Sequence, residues 1–319
     1  RTTSLSVSPK ANRGGGTILR GRVIRISGLQ CLVEIDQSNW LCEIRGRLKS
    51  GHRKANSPVI VGDWVDIVPT ADQSGVIEVV HPRTSKFSRG ASGARSFEQI
   101  LSVNMDQLVV VVSALEPSPR TGFIDRAILM AVKGNLQPII CINKIDLISI
   151  DEASLLMAPY VALGYLVFLT NALGGEGMHD FKGALLGRTS IIVGQSGVGK
   201  SSLLNFIEPG LGLKTREIMT RHDRGRHTTT AVHLFKLKQG GYVADTPGIK
   251  ELRLWGITAA KLDAYYPEFE PMLSQCKFAD CSHLHEPHCG VREAVEGQQI
   301  AQARYDGYRR IFEGLKEDE

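Results

Sequence analysis

Residues 190–201 read SIIVGQSGVGKS, and this stretch decides the fold class of the chain. The apolar run 190–193 suits a buried parallel strand, and residues 202–206 can open a helix. Between them, residues 194–201 match the pattern G-x-x-x-x-G-K-[ST] at every fixed position. In such a loop the glycines let backbone N–H groups face a phosphate, and the helix N-terminus adds its positive end. A glycine-rich turn with a chance lysine would lack the strand and the helix, so the sequence predicts a P-loop in an α/β domain.

The predicted P-loop assigns a chemical task to its side chains. Lys200 is expected to reach the β- and γ-phosphates of a nucleotide, and the Ser201 hydroxyl is expected to hold Mg²⁺. The residues expected to surround the phosphates are Gly194, Gln195, Ser196, Gly197, Val198, Gly199, Lys200, Ser201 and Ser202.

A second motif follows the apolar run 137–143, which is typical of a strand buried on both faces. Asn143, Lys144 and Asp146 fit N-K-x-D at the carboxyl end of that strand, where open α/β sheets bind ligands. The Asp146 carboxylate only accepts hydrogen bonds, and it can accept from both N1–H and the exocyclic amine of guanine. Asn143 can bond the other edge of the base, and Lys144 can cover the ring. The residues that resemble a second guanine-contact loop are Thr170, Asn171 and Ala172.

Two motifs downstream of the P-loop predict the switch regions. The polar, basic stretch 214–230 is expected to be the first switch loop, with one threonine among 228–230 meeting Mg²⁺ and the γ-phosphate. The strand-like run 241–245 ends in Asp245, and Gly248 follows in the sequence DTPG. This is the pattern of a magnesium-binding Asp and a glycine whose N–H bonds the γ-phosphate. The switch residues expected at the nucleotide are Thr228, Thr229, Asp245 and Gly248, and the expected magnesium ligands are Ser201, Thr229 and Asp245.

The residue after Gly248 is Ile249, where Ras-like proteins have the glutamine that orients the attacking water. Isoleucine cannot do this, so the intrinsic rate should be slow unless another group substitutes. His227 is the candidate to position or deprotonate the water, and His222 is the alternative. A surface role for His227 in a polar loop stays open.

The order of the motifs points to a circularly permuted G domain. N-K-x-D begins 51 positions before the P-loop, and DTPG comes last. Domain termini often lie close together, so the same parts can be joined in a permuted order. In this order the segment after DTPG runs through 250–255 into the C-terminal region, so a movement of the second switch would pass to that region directly.

The N-terminal part differs from the rest of the chain in its hydrophobic pattern and in its charge. Residues 1–16 indicate a flexible basic arm, and residues 17–82 contain five short, roughly alternating runs that predict a closed β-barrel of the OB-fold type. Residues 1–54 carry a net charge of +8, whereas the whole chain carries +5. A basic barrel commonly binds oligonucleotides, although an all-β spacer is the alternative. Residues 83–255 are predicted to form the G domain, with 83–103 as a basic linker.

A cysteine- and histidine-rich cluster marks the last domain, predicted over 256–319 as mainly α-helical. Cys276, Cys281, His283 and Cys289 follow the spacing C-x4-C-x-H-x5-C, which suits structural zinc with no open position for catalysis. His285 or His288 can replace His283 on sequence alone, and three reduced cysteines without metal are the alternative. Residues 291–316 predict one charged helix that packs on the zinc loop or contacts RNA.

The ordered set of motifs resembles the ribosome small-subunit-dependent GTPase A family, also called RsgA or YjeQ, over almost the whole chain. The histidine in GRHTTT and the apolar residue after DTPG also match that family. The resemblance implies a zinc-containing GTPase that acts late in small-subunit maturation. It also implies binding to ribosomal RNA near the decoding region and stimulation by the small subunit.

Two other functions remain alternatives at this stage. One is an RNA-binding assembly scaffold in which GTP only sets affinity, and the other is an ATPase, which Asp146 disfavours. The chain has 42% hydrophobic residues and no apolar run of eighteen, so a packed protein without a membrane span is expected. The partners expected are GTP, GDP, the small subunit and its rRNA, for a cytoplasmic monomer.

Overall fold

A computed structural model describes residues 10–11, 17–49, 57–91, 97–211, 232–246 and 252–318 of the 319-residue chain. The strands are β1 Lys10–Ala11, β2 Thr17–Ser27, β3 Gln30–Ile35, β4 Ser38–Ile44, β5 Trp64–Ala71, β6 Ser74–Val80, β7 Lys86–Gly90, β8 Glu98–Val103, β9 Gln107–Ser113, β10 Gln137–Asn143, β11 Leu166–Thr170, β12 Thr189–Gly194, β13 His233–Lys236 and β14 Tyr242–Asp245. The α-helices are α1 Gly46–Lys49, α2 Thr121–Lys133, α3 Ile150–Ala162, α4 Met178–Leu185, α5 Lys200–Ile207, α6 Glu270–Leu273, α7 Gly290–Glu296 and α8 Gln302–Asp318. Along these ranges no helix combines the length and apolar character needed to cross a bilayer.

Strands β2 to β6 form the predicted closed barrel. β2 pairs with β3, β3 with β4, β4 with β6, β6 with β5, and β5 returns to β2. The β4–β6 pair is parallel and the others are antiparallel. Alternate residues such as Val33, Cys42, Val65 and Ile77 are fully buried inside the barrel. The five alternating runs of the sequence are therefore confirmed as five strands with one face inward.

The segment 83–103, predicted as a linker, contains the antiparallel pair of β7 and β8. Neither strand is evident from the sequence, because the burial of their residues does not alternate regularly and a bulge interrupts the register between Phe87 and Ser88. Gly90 N–H donates to Arg253 O at 3.1 Å, so this pair of strands also supports the chain after the second switch motif.

The central sheet has the order β11-β10-β9-β12-β14-β13, with β13 antiparallel and the other strands parallel. All seven residues of β9 are buried because helices cover both faces of the sheet. Leu108 and Val110 pack on the side of α2 and α3, whereas Val109 and Val111 pack on the side of α4 and α5. The prediction of an α/β P-loop domain is confirmed.

Helix α3 was not predicted from the sequence. Its capping box is regular, since the Ser149 hydroxyl accepts from the Glu152 N–H and the Glu152 carboxylate accepts from the Ser149 N–H. Its apolar residues, however, lie all round the helix, and Leu155 is 77% exposed. Without a polar face the helical period is hard to see in the sequence.

The barrel and the central sheet are joined through β2. His233 of β13 pairs with Arg25 of β2, so strand pairing continues from one domain into the other. Arg22 is buried at this junction, where its guanidinium donates to Thr189 Oγ1 at 2.9 Å and Asn104 O at 2.7 Å. Trp64 is 42% exposed, and its ring centroid lies 5.4 Å from the Arg22 guanidinium carbon.

The C-terminal domain packs around aromatic residues of its own and against α2. The predicted single helix over 291–316 is wrong, because two helices, α7 and α8, occupy this region and α7 ends at Glu296, with Gly297 as its C-cap. Arg304 of α8 is buried beside Asp125 of α2 and donates to Glu268 Oε1 at 2.7 Å. This buried charge cluster attaches the C-terminal domain to the central domain.

Candidate nucleotide and metal sites

The P-loop has the backbone that its glycines permit. Gly197 and Gly199 lie at φ values of 88° and 94°, which side chains with a Cβ rarely adopt. A Cβ on Gly199 would also collide with the Asn143 amide. Lys200 Nζ donates to the carbonyl oxygens of Gly194 at 2.7 Å and Gln195 at 2.9 Å. Burial lowers the pKa of Lys200, and the charge of Asp245 opposes that shift.

The other predicted P-loop residues lie on two sides of the loop. Ser196 and Gly197 are exposed at its tip, whereas Val198 is buried beneath it. Ser201 and Ser202 are half-buried in the first turn of α5. The tip and the helix start are therefore accessible where a phosphate would approach.

Asn143 connects the three predicted nucleotide loops. Its Nδ2 donates to Val198 O of the P-loop at 2.9 Å. Its Oδ1 accepts from Thr170 Oγ1 and from the Ala172 N–H, both at 3.2 Å. Because Asn143 is 2% exposed, these bonds are made in a dry environment where an unmade bond is costly.

Lys144 and Asp146 lie just beyond the end of β10. Lys144 has a left-handed backbone with φ of 63°, and its Nζ donates to Glu116 O at 2.6 Å. Asp146 lies in a short 3₁₀ turn, Ile145–Leu147, and is exposed. Its carboxylate is accessible to a base that lies against this edge of the sheet.

The loop after β11 is held by the side chains of its own residues. Thr170 and Asn171 are buried, and Asn171 closes its own loop through bonds to the N–H groups of Leu173 and Gly174. Their side chains therefore shape the loop, and Ala172 lies against Asn143. The sequence pattern did not reveal this supporting function.

Asp245 faces the same edge of the sheet. Ile192 of β12 pairs with Asp245 of β14, which places the carboxylate beside the start of the P-loop. Asp245 Oδ1 is buried and has no hydrogen-bond partner in the described part of the chain. Burial raises the pKa of Asp245, while the Lys200 ammonium acts against that shift. An orphaned carboxylate oxygen beside the P-loop fits a Mg²⁺ ion, for which oxygen ligands are preferred.

The remaining predicted switch residues lie outside the described residues. They are His222, His227, Thr228, Thr229, Gly248 and Ile249.

The cysteine-rich cluster forms a compact set of possible metal ligands. One ligand atom from each of Cys276, Cys281, His283 and Cys289 lies within 4.8 Å of every other. His283 Nδ1 lies 3.6 Å from Cys276 Sγ and 3.4 Å from Cys289 Sγ. The other two candidate histidines, His285 and His288, are exposed. Three thiols and one imidazole at these distances can hold a metal ion, and this donor set is typical of tetrahedral sites.

Residues around the cluster fix the orientation of His283. The Tyr305 hydroxyl donates to His283 O at 2.7 Å, and the Tyr308 hydroxyl donates to Ser282 O at 3.0 Å. His283 Nε2 is buried, 3.8 Å from Asp263 Oδ2, and has no hydrogen-bond partner among the residues that the structure describes. A carboxylate beside the second ring nitrogen is a common way to orient a metal-binding histidine.

Comparisons with known proteins identify the domain and its relatives. Residues 80–255 match the family model described as RsgA GTPase. A small ribosomal subunit biogenesis GTPase RsgA from Gemmatimonas aurantiaca is 42% identical over 274 residues, which cover 85% of this chain and 89% of that protein. The protein of that name from Thermotoga maritima is 38% identical over 92% of this chain and 95% of its own length.

Two crystal structures are similar over nearly the whole chain. YjeQ from Thermotoga maritima has a TM-score of 0.76 at 36% identity, covering 93% of this chain and 98% of that one. YloQ, described as a circularly permuted GTPase, has a TM-score of 0.72 at 30% identity, covering 95% and 96%. The permuted order of motifs is thus matched by a solved structure.

Proposed function

The chain belongs to the RsgA GTPase family, and from this premise we propose that it hydrolyses GTP on the small ribosomal subunit during late subunit maturation. The observation that carries the proposal is the gathering of N-K-x-D, P-loop and Asp245 at one edge of the sheet, in the order of a permuted GTPase. The domains we assign are a basic arm 1–16, an OB-type barrel 17–82, a G domain 83–255 that includes the connecting segment 83–103, and a zinc domain 256–319.

In this proposal Asp146 reads the guanine edge. Its exposed carboxylate accepts from the two donors of guanine, and adenine does not offer this donor pair. Asn143 acts mainly as a bridge between loops, because its amide is already used by Val198 and Ala172. Lys144 covers the base from the end of β10.

Lys200 and the P-loop N–H groups hold the phosphates. The Lys200 ammonium now bonds two P-loop carbonyls, so it exchanges these neutral acceptors for charged phosphate oxygens on binding. Ser201 and Asp245, together with Thr229, would hold Mg²⁺, which neutralises charge that develops on the phosphates. We keep His227 as the residue that positions water, in place of the missing glutamine.

The barrel and the zinc domain supply the binding surfaces for the subunit. Arg20, Arg25 and Arg45 are exposed on the barrel, although Arg45 pairs with Glu78 and Arg20 lies near Asp66. Arg22 does not belong to this surface, because it is buried at the domain junction. Phosphate contacts from the exposed arginines would bind rRNA with little dependence on sequence.

We assign zinc to the cluster of Cys276, Cys281, His283 and Cys289, with a structural task. Four protein ligands leave no position for substrate. GTP binding then orders the switches for docking, the subunit stimulates hydrolysis, and hydrolysis releases the protein. We place this cycle in the cytoplasm and in a monomer.

The experiment is GTP hydrolysis with and without purified small ribosomal subunits. We expect a large stimulation that Lys200→Ala abolishes, with Lys182→Ala, on α4 and outside the predicted nucleotide loops, as the matched control. If added subunits did not change the wild-type hydrolysis rate, the ribosomal part of the proposal would be overturned, whereas the assignment of a GTP-hydrolysing G domain would stand. Tight binding without stimulation would favour the assembly-scaffold function.

A further inference from the structure

A basic groove, defined here as the cleft between the N-terminus of α2, the segment 252–254 and α8, adjoins the nucleotide site at Gln195 and lies away from the metal site. It encloses about 710 Å³. Its described charged lining residues are four arginines, Arg120, Arg126, Arg253 and Arg310, and one carboxylate, Glu317. Such a volume is in the range of pockets that take up ligands.

Three of the four groove arginines, Arg120, Arg126 and Arg310, make no ion pair within the described part of the protein. Neither Arg120 nor Arg126 forms an ion pair there, and Arg126 is half-buried. The Arg310 guanidinium donates to two neutral oxygens, Asp306 O at 3.1 Å and Thr121 Oγ1 at 3.4 Å. Cations gathered from two helices in one cleft repel each other, so an anion in the groove would relieve that repulsion.

We propose that this groove binds a short stretch of RNA backbone, and this inference rests on the proposed ribosomal function. Arginine forks match phosphate oxygens, and the groove offers no exposed aromatic ring for base stacking in its described lining. The groove therefore recognises phosphodiester charge and not base sequence. Segments 1–16 and 212–231 of the chain are themselves net basic and are poor occupants for the same reason.

The groove adjoins two parts of the nucleotide site, the P-loop and the segment that follows the DTPG motif. Gln195, at its edge, is a P-loop residue whose carbonyl accepts from Lys200 Nζ at 2.9 Å. Leu252 and Leu254, also in the lining, follow the DTPG motif within a few residues. RNA in the groove thus contacts the P-loop and the exit of the second switch together, and it raises the hydrolysis rate from this position.

The test uses the full chain with a non-hydrolysable GTP analogue and a fluorescein-labelled 12-nucleotide oligouridylate, followed by anisotropy at several salt concentrations. The Arg120→Gln/Arg126→Gln double variant should bind about tenfold more weakly. Its slope of log K against log salt should fall by about 1.4, since each phosphate contact to a single strand contributes about 0.7. Arg309→Gln, on α8 but outside the groove lining, is the matched control and should change neither value.

Further variants sharpen the assignment. Glu317→Gln removes the acidic lining residue and should tighten binding by a few-fold. Arg120→Gln alone alters an exposed side chain, so it tests the groove even where a change at Arg126 affects folding. Zinc content and the thermal midpoint establish that each variant is folded.

Subunit-stimulated hydrolysis separates this inference from the proposed function. Wild-type stimulation that the double variant loses together with oligouridylate affinity supports the groove. Stimulation and RNA affinity equal to wild type in the double variant, or no binding of the oligonucleotide by wild type, overturn it. Loss of stimulation with unchanged RNA affinity also overturns it and assigns the groove to an acidic protein surface. No stimulation of wild type refutes the proposed function instead.

Discussion

The Asn143 amide donates to Val198 O at 2.9 Å, so the guanine-binding motif and the P-loop are bonded to each other directly. These residues are 55 positions apart in the chain. The bond crosses from β10 to the loop after β12, two strands away in the sheet. The permuted order of the motifs does not disturb it, because spatial neighbours in a sheet do not need to be neighbours in sequence.

Asn143→Ala should weaken guanine nucleotide binding by roughly tenfold or more. The change leaves Val198 O and the Ala172 N–H buried without their partner, at about 1–3 kcal/mol for each unsatisfied group. Titration with a fluorescent GDP analogue and urea unfolding measure the two effects. Asn39→Ala, at an exposed barrel position, is the control. Unchanged affinity in Asn143→Ala would show that the three loops hold their places independently.

Asp146→Asn should convert the preference from GTP to xanthosine triphosphate. The amide cannot accept from both guanine donors, whereas it can donate to the additional carbonyl of xanthine. Hydrogen bonds to charged groups contribute about 1.5–3 kcal/mol, so the loss of GTP affinity is roughly 10- to 150-fold. Competition assays with both nucleotides measure the preference, and Asp151→Asn on α3 is an exposed control. If Asp146→Asn kept its preference for GTP, another residue would have to read the base.

The parts of the fold with a regular hydrophobic period were predictable from the sequence. The barrel strands alternate and β9 is apolar throughout, so burial follows directly from the pattern. Helix α3 was not predictable from the hydrophobic period, because Leu155 and Val161 give it an apolar outer face. The tail was predicted as one helix because its charged and apolar residues continue past Glu296, where α7 ends.

The candidate site was predictable in its motifs but not in its internal contacts. A sequence pattern identifies Lys200 and Asp146 by type and spacing. It cannot show that the Asn143 side chain is already hydrogen-bonded to two other loops. Nor can it show that His283 is buried while His285 is exposed. Such facts depend on which loops meet in three dimensions. The pairing of Asp125 with Arg304, 179 positions apart, was hidden for the same reason.

Arg304→Met should destabilise the protein far more than an exposed arginine change does. It leaves the buried carboxylates of Asp125 and Glu268 without their cation, and breaking a buried pair costs about 3–5 kcal/mol. Asp125→Asn removes one of the two carboxylates and keeps Glu268 paired, so its cost should be smaller. Urea unfolding measures both, with Arg309→Met as the control. A loss below about 1 kcal/mol in Arg304→Met would mean that the two domains do not depend on this cluster.

Metal content should distinguish His283 from the neighbouring histidines. His283 lies within 3.6 Å of two cysteine sulfurs, whereas His285 and His288 are exposed. We therefore expect wild type to bind one zinc ion, His283→Ala and Cys289→Ser to lose it, and His285→Ala and His288→Ala to retain it. Plasma emission spectrometry gives the stoichiometry, and the thermal midpoint should fall in the first two variants because a closed structural site contributes directly to folding. If wild-type protein contained no metal and its thermal midpoint did not change with a chelator, the assignment of a metal site would be refuted. Retention of zinc in His283→Ala with loss in His288→Ala would instead move the fourth ligand to the left-handed turn at His288, where φ is 56°.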